Sequence, residues 1–82
     1  MNENNQPDKI RGIIEIGLRG MWHFYDDGFT RWPYEKLAPL FSNINLDHPE
    51  IQREFQSLEN QGFVKLYKKQ DCYLEVIRAP DA

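Results

Sequence analysis

The most informative stretch of this sequence is residues 47–77, which read DHPEIQREFQSLENQGFVKLYKKQDCYLEVI. Its first half predicts a helix, since Asp47 can cap, Pro49 suits the first turn and Glu50 occupies the reciprocal capping-box position. The helix continues to Asn60, and Gly62 is expected to end it. One face is apolar at helical spacing and consists of Ile51, Phe55 and Leu58.

The second half of this stretch predicts a β-hairpin. Two short strand-like runs, residues 63–67 and 72–77, are separated by Lys68-Lys69-Gln70-Asp71. If Tyr67 pairs with Tyr73, the apolar residues of the two strands fall opposite one another on a single face. The resulting pairs are Val64 with Val76 and Leu66 with Leu74. Because an isolated hairpin is only marginally stable in water, we expect this face to pack on helices.

Residues 8–26 predict a long first helix. Its apolar half follows the helical period and consists of Ile10, Ile13, Ile14, Gly17, Leu18, Met21, Phe24 and Tyr25. Gly12, Gly17 and Gly20 lie within this predicted helix, and each lowers its stability by about 1 kcal/mol relative to alanine. We therefore expect a neighbouring element to pack closely against these glycines. Ile16 is an apolar residue on the polar half.

The segment between these regions predicts a turn, a short strand and a second helix. Asp26-Asp27-Gly28 has the composition of a turn, and Phe29 to Trp32 is a short extended run. Pro33 suits the start of a helix, which is expected to end near Ser42-Asn43. Pro39 lies within this helix and should either end it or bend it.

Composition describes one small globular domain. The chain has 82 residues, of which 40% are hydrophobic and 13% aromatic, which argues against wholesale disorder. Ten Lys and Arg residues against thirteen Asp and Glu residues give a formal net charge of −3. This balance excludes the strongly basic coat of sequence-independent nucleic-acid binders, but it does not exclude a local basic patch.

We expect the domain to occupy residues 8–78, with a polar disordered tail over 1–7 and a second tail over 79–82. The single cysteine, Cys72, excludes a disulfide within the chain and is expected in the core. No apolar run approaches the roughly 18 residues of a membrane span, and the N-terminus lacks the apolar stretch of a signal peptide. The expected location is the cytoplasm.

The order of these elements predicts an α+β fold with three helices, a short strand after the first helix and a C-terminal two-stranded antiparallel hairpin. In this pattern the sequence resembles the winged-helix superfamily over residues 8–78. The resemblance is carried by residues 32–38 (WPYEKLA), by the helix over 47–60, and by residues 58–64 (LENQGFV), which lead into the hairpin or wing. Some members of that superfamily place the third helix in the DNA major groove, whereas others bind only proteins, so the resemblance implies two partner classes.

If the resemblance extends to DNA binding, the third helix contacts bases and the wing contacts phosphates. Gln and Asn can pair with adenine and Arg with guanine, each worth about 1–3 kcal/mol of discrimination. The predicted base contacts are Gln52, Arg53, Gln56 and Asn60. The predicted phosphate contacts are Lys65, Lys68, Lys69 and Arg31, and Tyr67 and Tyr73 could add hydroxyl contacts.

The charge of the third helix opposes this interpretation. Residues 47–60 hold four carboxylates against Arg53 alone, a formal balance of −3, whereas residues 62–78 carry a balance of +2. Because phosphate contacts usually supply much of the affinity, DNA contact would depend on the wing, and specific binding would need a dimer.

The competing interpretation is a protein-interaction module. Eleven aromatic residues are many for so small a core, and Trp and Tyr are favoured at interfaces. The candidate interface residues are Ile16, Arg19, Trp22 and Trp32, of which the two tryptophans are expected to be partly exposed. A homodimer through the first helix would serve either function. The alternative is that most of these rings form the core between the first two helices.

The sequence indicates no catalytic residue, metal site or cofactor, and therefore no enzyme. His23 and His48 lie 25 positions apart without a second ligand at zinc-site spacing. The glycines follow no strand and do not form a phosphate-binding loop. The resemblance to the winged-helix superfamily implies a small DNA-binding regulator of the prokaryotic or phage kind, with a protein-interaction module as the alternative.

Overall fold

The computed structural model describes residues 6–80, which form three helices and a small three-stranded antiparallel sheet. The elements, in chain order, are α1 (Gln6–Asp26), β1 (Arg31–Trp32), α2 (Tyr34–Leu40), α3 (Pro49–Asn60), β2 (Val64–Leu66) and β3 (Leu74–Val76). The α+β class is therefore confirmed. The helix α1 begins two residues before the predicted start, while residues 1–5 and 81–82 of the predicted tails lie outside the described residues.

The helix α1 packs against α2 at two of its three glycines. A Cβ atom on Gly17 would lie 2.5 Å from the ring of Phe41, and one on Gly20 would lie 3.0 Å from Leu40. The expected close approach is confirmed at these positions. It is wrong for Gly12, where a Cβ atom would meet nothing within 4 Å. Gly12 lies beyond the region where α2 crosses α1.

The helix α2 is short and ends one residue after Pro39. Pro33 is its N-cap, and the Pro33 carbonyl accepts from the backbone N–H of Leu37. Pro39 has no N–H to donate to the carbonyl of Glu35, and the helix ends one residue later, at Leu40. Ser42 and Asn43 then adopt positive φ angles of 56° and 57°. Pro39 therefore lies next to the end of α2 and does not bend the middle of the helix.

The helix α3 begins at Pro49, two residues after the start of the predicted range 47–60, and its cap differs. His48 is the N-cap, and its Nδ1 atom accepts from the backbone N–H of Glu50 at 3.2 Å. The expectation that Asp47 caps this helix is wrong: Asp47 lies one residue before the cap, in a turn where its backbone N–H donates to Asn45 Oδ1 at 2.9 Å. The predicted apolar face is confirmed: its buried residues are Ile51, Phe55 and Leu58.

The hairpin of β2 and β3 has the predicted register. Val64 pairs with Val76 and Leu66 with Leu74, although each strand is only three residues long and thus shorter than predicted. The strand β1 pairs with the other edge of β3, which gives the sheet order β1-β3-β2. The hairpin therefore belongs to a three-stranded sheet, with β3 hydrogen-bonded on both edges.

One hydrophobic core joins all the elements. Residues from the three helices and three strands belong to a single buried cluster that includes Met21, Phe41, Phe55 and Leu74. Cys72 departs from its predicted place in the core, since it is half-buried and precedes β3. The next residue, Tyr73, belongs to the buried cluster instead.

Candidate interaction surfaces

The exposed face of α3 carries three of the four residues predicted to contact bases. Arg53, Gln56 and Asn60 are exposed. The Gln56 amide donates to Glu59 Oε1 and Asn60 Oδ1, each at 3.2 Å, and Arg53 Nη1 donates to Glu50 Oε1 at 3.1 Å. Exposed contacts of this kind contribute little to stability, so these side chains can exchange partners.

Gln52 is not a free surface residue, which corrects the expectation that it reads bases from the solvent face. Its Nε2 atom donates to the Leu46 carbonyl at 2.8 Å and to the Tyr73 hydroxyl at 2.7 Å. Its Oε1 atom accepts from Lys68 Nζ at 2.8 Å. Gln52 therefore joins α3 to the hairpin loop. Tyr73 is 4% exposed and is likewise removed from the predicted phosphate contacts.

The predicted phosphate contacts are divided between two parts of the surface. Arg31 and Lys65 flank Glu75 across the three strands, and Arg31 Nε lies 3.7 Å from Glu75 Oε2. Lys68, in contrast, has a φ of 57° and reaches toward α3 to bond Gln52. Lys69 is exposed in the loop after β2. The structure thus places Arg31 with Lys65 but does not unite all four cations.

The groove between α1 and α3 is acidic. Its lining includes the carboxylates Glu15, Glu50 and Glu54, with Arg11 as the one cation among the lining residues. Glu59 lies farther along α3, where its Oε2 accepts from the backbone N–H of Leu66 at 2.9 Å. Through this hydrogen bond Glu59 links α3 to β2. Glu50 and Glu54 leave the groove side of α3 negatively charged.

The predicted interface on the first helix is only partly accessible. Ile16 is 65% exposed and Arg19 is also exposed. Trp22 is half-buried, and its ring packs edge-on against Phe63 with centroids 6.2 Å apart. The apolar contribution of this surface therefore comes mainly from Ile16, which has no large exposed apolar neighbour in its own turn of α1.

The prediction that Trp32 is partly exposed is wrong. Trp32 is 4% exposed, with its ring centroid 4.4 Å from that of Phe29 and 5.7 Å from that of Phe24. The pairing of β1 with β3 turns this side chain inward. Its Nε1 atom is buried without a hydrogen-bond partner among the described residues, which costs about 1–3 kcal/mol.

The rings around Trp32 form the floor of a shallow hollow on the surface, which we call the aromatic hollow. It lies between the C-terminal end of α1, β1 and α2 and has a volume of about 360 Å³. Apolar atoms form most of its lining. The lining residues are Phe24, Phe29, Trp32, Glu35, Lys36, Pro39 and Leu40. Among these residues, Phe24 is a large aromatic side chain with 40% of its surface exposed.

Two opposite charges stand at the edge of the aromatic hollow. Glu35 and Lys36 are consecutive, and both are exposed. Lys36 Nζ lies 5.5 Å from the centroid of the Phe29 ring, a contact worth about 0.5–1 kcal/mol at exposed sites. Neither charge forms an ion pair within residues 8–80. The surface is therefore apolar in its centre and formally neutral at its edge.

Sequence reasoning identified three of the aromatic residues but not the hollow itself. Phe24 was predicted on the apolar half of the first helix, and Phe29 and Trp32 in the short extended run. Pro39 and Leu40 were parts of the predicted second helix only. These residues come together only because α2 packs across α1, and the spacing of residues in the sequence does not predict that packing.

The part of the chain that the structure describes has no group of three or more side chains arranged to hold a metal. His23 is exposed, while His48 is engaged as the α3 cap. None of the described helices is long and apolar enough to cross a bilayer.

Comparison with known proteins supplies no relative from which to transfer a function. No family model matches the chain, and neither does any curated protein or solved structure. The surfaces described above are therefore interpreted from their own geometry.

Proposed function

We propose that this chain is a small winged-helix protein that acts by binding a protein partner through the aromatic hollow. The winged-helix assignment is supported by the order of the elements, with α3 followed directly by an antiparallel hairpin whose apolar face packs on the helices. Because the same scaffold serves both DNA and protein binding, the choice between them rests on the surfaces.

The observation that carries the proposal is an accessible aromatic surface on a chain of negative net charge. Contiguous exposed apolar surface marks interaction sites, and aromatic side chains in apolar pockets dominate binding energies. The aromatic hollow has this character, with Phe24 40% exposed in its lining. The α3 surface is less suited to DNA, because Gln52 is engaged and the glutamates face solvent or the α1 groove.

A matched pair of variants tests this function. Phe24→Gln removes the aromatic ring at the hollow, and Ile16→Gln removes a more exposed apolar side chain from the same helix. We expect a partner captured from the native cell extract to bind wild type and Ile16→Gln alike. Titration of that purified partner should show at least tenfold weaker binding to Phe24→Gln, provided that circular dichroism shows an unchanged fold.

If Ile16→Gln lost binding while Phe24→Gln bound normally, the interface would lie on the polar side of α1 and not at the hollow. Equal affinity of all three proteins for the partner would refute the hollow as the binding site.

A second candidate function is DNA binding led by the wing. It is favoured by the exposed cations Arg31 and Lys65 on the sheet and Lys69 in the hairpin loop. Here the phosphate contacts would come from the sheet and loop, with α3 contributing Arg53, Gln56 and Asn60.

Duplex titration at several salt concentrations tests the second candidate. The double variant Lys65→Ala with Lys69→Ala should lower the slope of log affinity against log salt by about 2, since each lost phosphate contact removes about 0.9. The control Lys9→Ala with Arg11→Ala makes the same change in net charge on α1. If both pairs reduce the slope equally, the wing has no special role.

A further inference from the structure

We propose that the partner seated on the aromatic hollow is a second copy of this chain, related by a two-fold axis. This inference rests on the proposed function and names the partner. Such a contact uses the same surface on both copies, so the surface must be complementary to itself.

The shape of the aromatic hollow meets this requirement. It has both a recess and an exposed aromatic side chain in its lining, namely Phe24 with 40% of its surface exposed. A two-fold rotation lets each copy present its Phe24 ring to the recess of the other. The recess is open and its volume is near the lower end for small-molecule pockets, so a protein side chain suits it better than an enclosed ligand.

The charges at the edge of the hollow also match themselves. Glu35 and Lys36 contribute one negative and one positive charge, and neither has an ion-pair partner within residues 8–80. An axis passing between them brings Glu35 of each copy to Lys36 of the other, which forms two equivalent pairs. A strongly acidic or strongly basic partner would gain one attraction and one repulsion at the same edge.

Charge disfavours a two-fold contact through the groove between α1 and α3. The net charge is −3, and this groove presents Glu15, Glu50 and Glu54. Like charges brought together there would repel, whereas the hollow is formally neutral. Two copies of this acidic chain therefore meet at the hollow with less electrostatic cost than at the groove.

A charge-exchange experiment tests the proposed dimer. Sedimentation velocity over a wide range of protein concentration should show reversible dimerisation of the wild type. The single variants Glu35→Lys and Lys36→Glu each place like charges opposite one another across the axis. We expect each alone to raise the dimer dissociation constant at least tenfold, and their equimolar mixture to restore dimerisation to nearly the wild-type level.

The experiment separates local pairing from general repulsion. Glu35→Lys brings the net charge closer to zero, so long-range repulsion alone would strengthen its dimer. Both positions are exposed, and recovery in the mixture shows that neither variant has lost its fold.

A wild type that stays monomeric at every concentration would overturn the inference. A dimer that is insensitive to both exchanges, or that dissociates on Ile16→Gln, would overturn it too. Monomeric wild type together with Phe24-dependent binding of a different protein would leave the proposed function intact. Failure of both measurements would remove the function as well.

Discussion

At the scale of single residues, contact with a neighbour changes what a residue type can do. Gly17 is required by the ring of Phe41, which is fully buried and reaches the α1 backbone. Gly12 has the same residue type in the same helix but no such neighbour. A glutamine such as Gln52 can pair with adenine. In the structure, however, its side-chain amide forms hydrogen bonds with Leu46, Tyr73 and Lys68.

Gly17→Ala should destabilise the protein by about 1 kcal/mol. The new methyl group overlaps the buried Phe41 ring, and overpacking typically costs about 1–3 kcal/mol, which outweighs the helix propensity of about 1 kcal/mol that alanine gains. The control Gly12→Ala has open space and should stabilise by up to about 1 kcal/mol. Urea denaturation measures both. Equal stabilisation by the two substitutions would contradict the packing of Phe41 on α1.

At the scale of elements, the side chains of two α3 residues, Gln52 and Glu59, hold this helix to the hairpin in addition to the apolar core. Glu59 Oε2 accepts the backbone N–H of Leu66, and Gln52 Nε2 donates to the Tyr73 hydroxyl. The strand β2 lies at the edge of the sheet, so Glu59 satisfies an N–H that faces away from β3. Gln52 lies in the first half of α3 and Glu59 near its C-terminal end, so these links hold the hairpin along the helix and remove Gln52 from the solvent face.

Tyr73→Phe should lower the free energy of unfolding by about 0.5–1.5 kcal/mol, because one proton of the Gln52 amide loses its acceptor. Tyr67→Phe is the control, since Tyr67 is exposed and its hydroxyl donates only to the carboxylate of Glu75. The control should leave the urea midpoint almost unchanged. A larger effect from Tyr67→Phe would contradict the role of the Gln52–Tyr73 link.

The same tyrosine predicts a change of stability in alkaline solution. Burial raises the pKa of Tyr73 above 10.0; the hydrogen bond from Gln52 opposes this effect, and repulsion by Asp47 adds a smaller increase. The folded state therefore holds this proton more tightly than the unfolded state. The resulting stability is fully present below pH 10 and is lost as pH rises through the elevated pKa. Chemical denaturation at increasing pH should show a shallower alkaline loss in Tyr73→Phe than in wild type.

At the scale of the whole molecule, β3 joins parts of the chain that are distant in sequence. It pairs with β1 on one edge and with β2 on the other, and Leu74 at its start is fully buried. All buried residues belong to one cluster within the described chain. With a single core of this size, we expect cooperative unfolding without separate steps for sheet and helices.

Leu74→Ala should therefore destabilise the helices and the sheet together, at a cost of about 2–5 kcal/mol. Ile77→Ala is the control, because Ile77 follows β3 and is 49% exposed. Thermal melts followed by tryptophan fluorescence and by far-ultraviolet circular dichroism should coincide in wild type and shift together in Leu74→Ala. Separate transitions from the two probes would show that the sheet and the helices unfold independently.

Much of the fold was predictable from local signals. Helical periodicity located the three helices, and apolar alternation located the register of β2 with β3, since both depend on residues close in sequence. The cap of α3 was missed because His48 and Asp47 are both able to accept a backbone hydrogen bond, and only the Asn45 turn selects between them. The aromatic hollow was missed for a different reason: it requires the crossing of α1, β1 and α2.

The sequence alone determined which elements form and which of their faces are apolar, because those properties follow from the period of each element and from nearby residues. Only the packed structure settled which polar and aromatic side chains remain available to a partner. Pairing of β1 with β3 buried Trp32, and contact between α3 and the hairpin loop engaged Gln52. Accessibility depends on contacts between residues far apart in the chain, and these contacts form only when the helices and the sheet share one core.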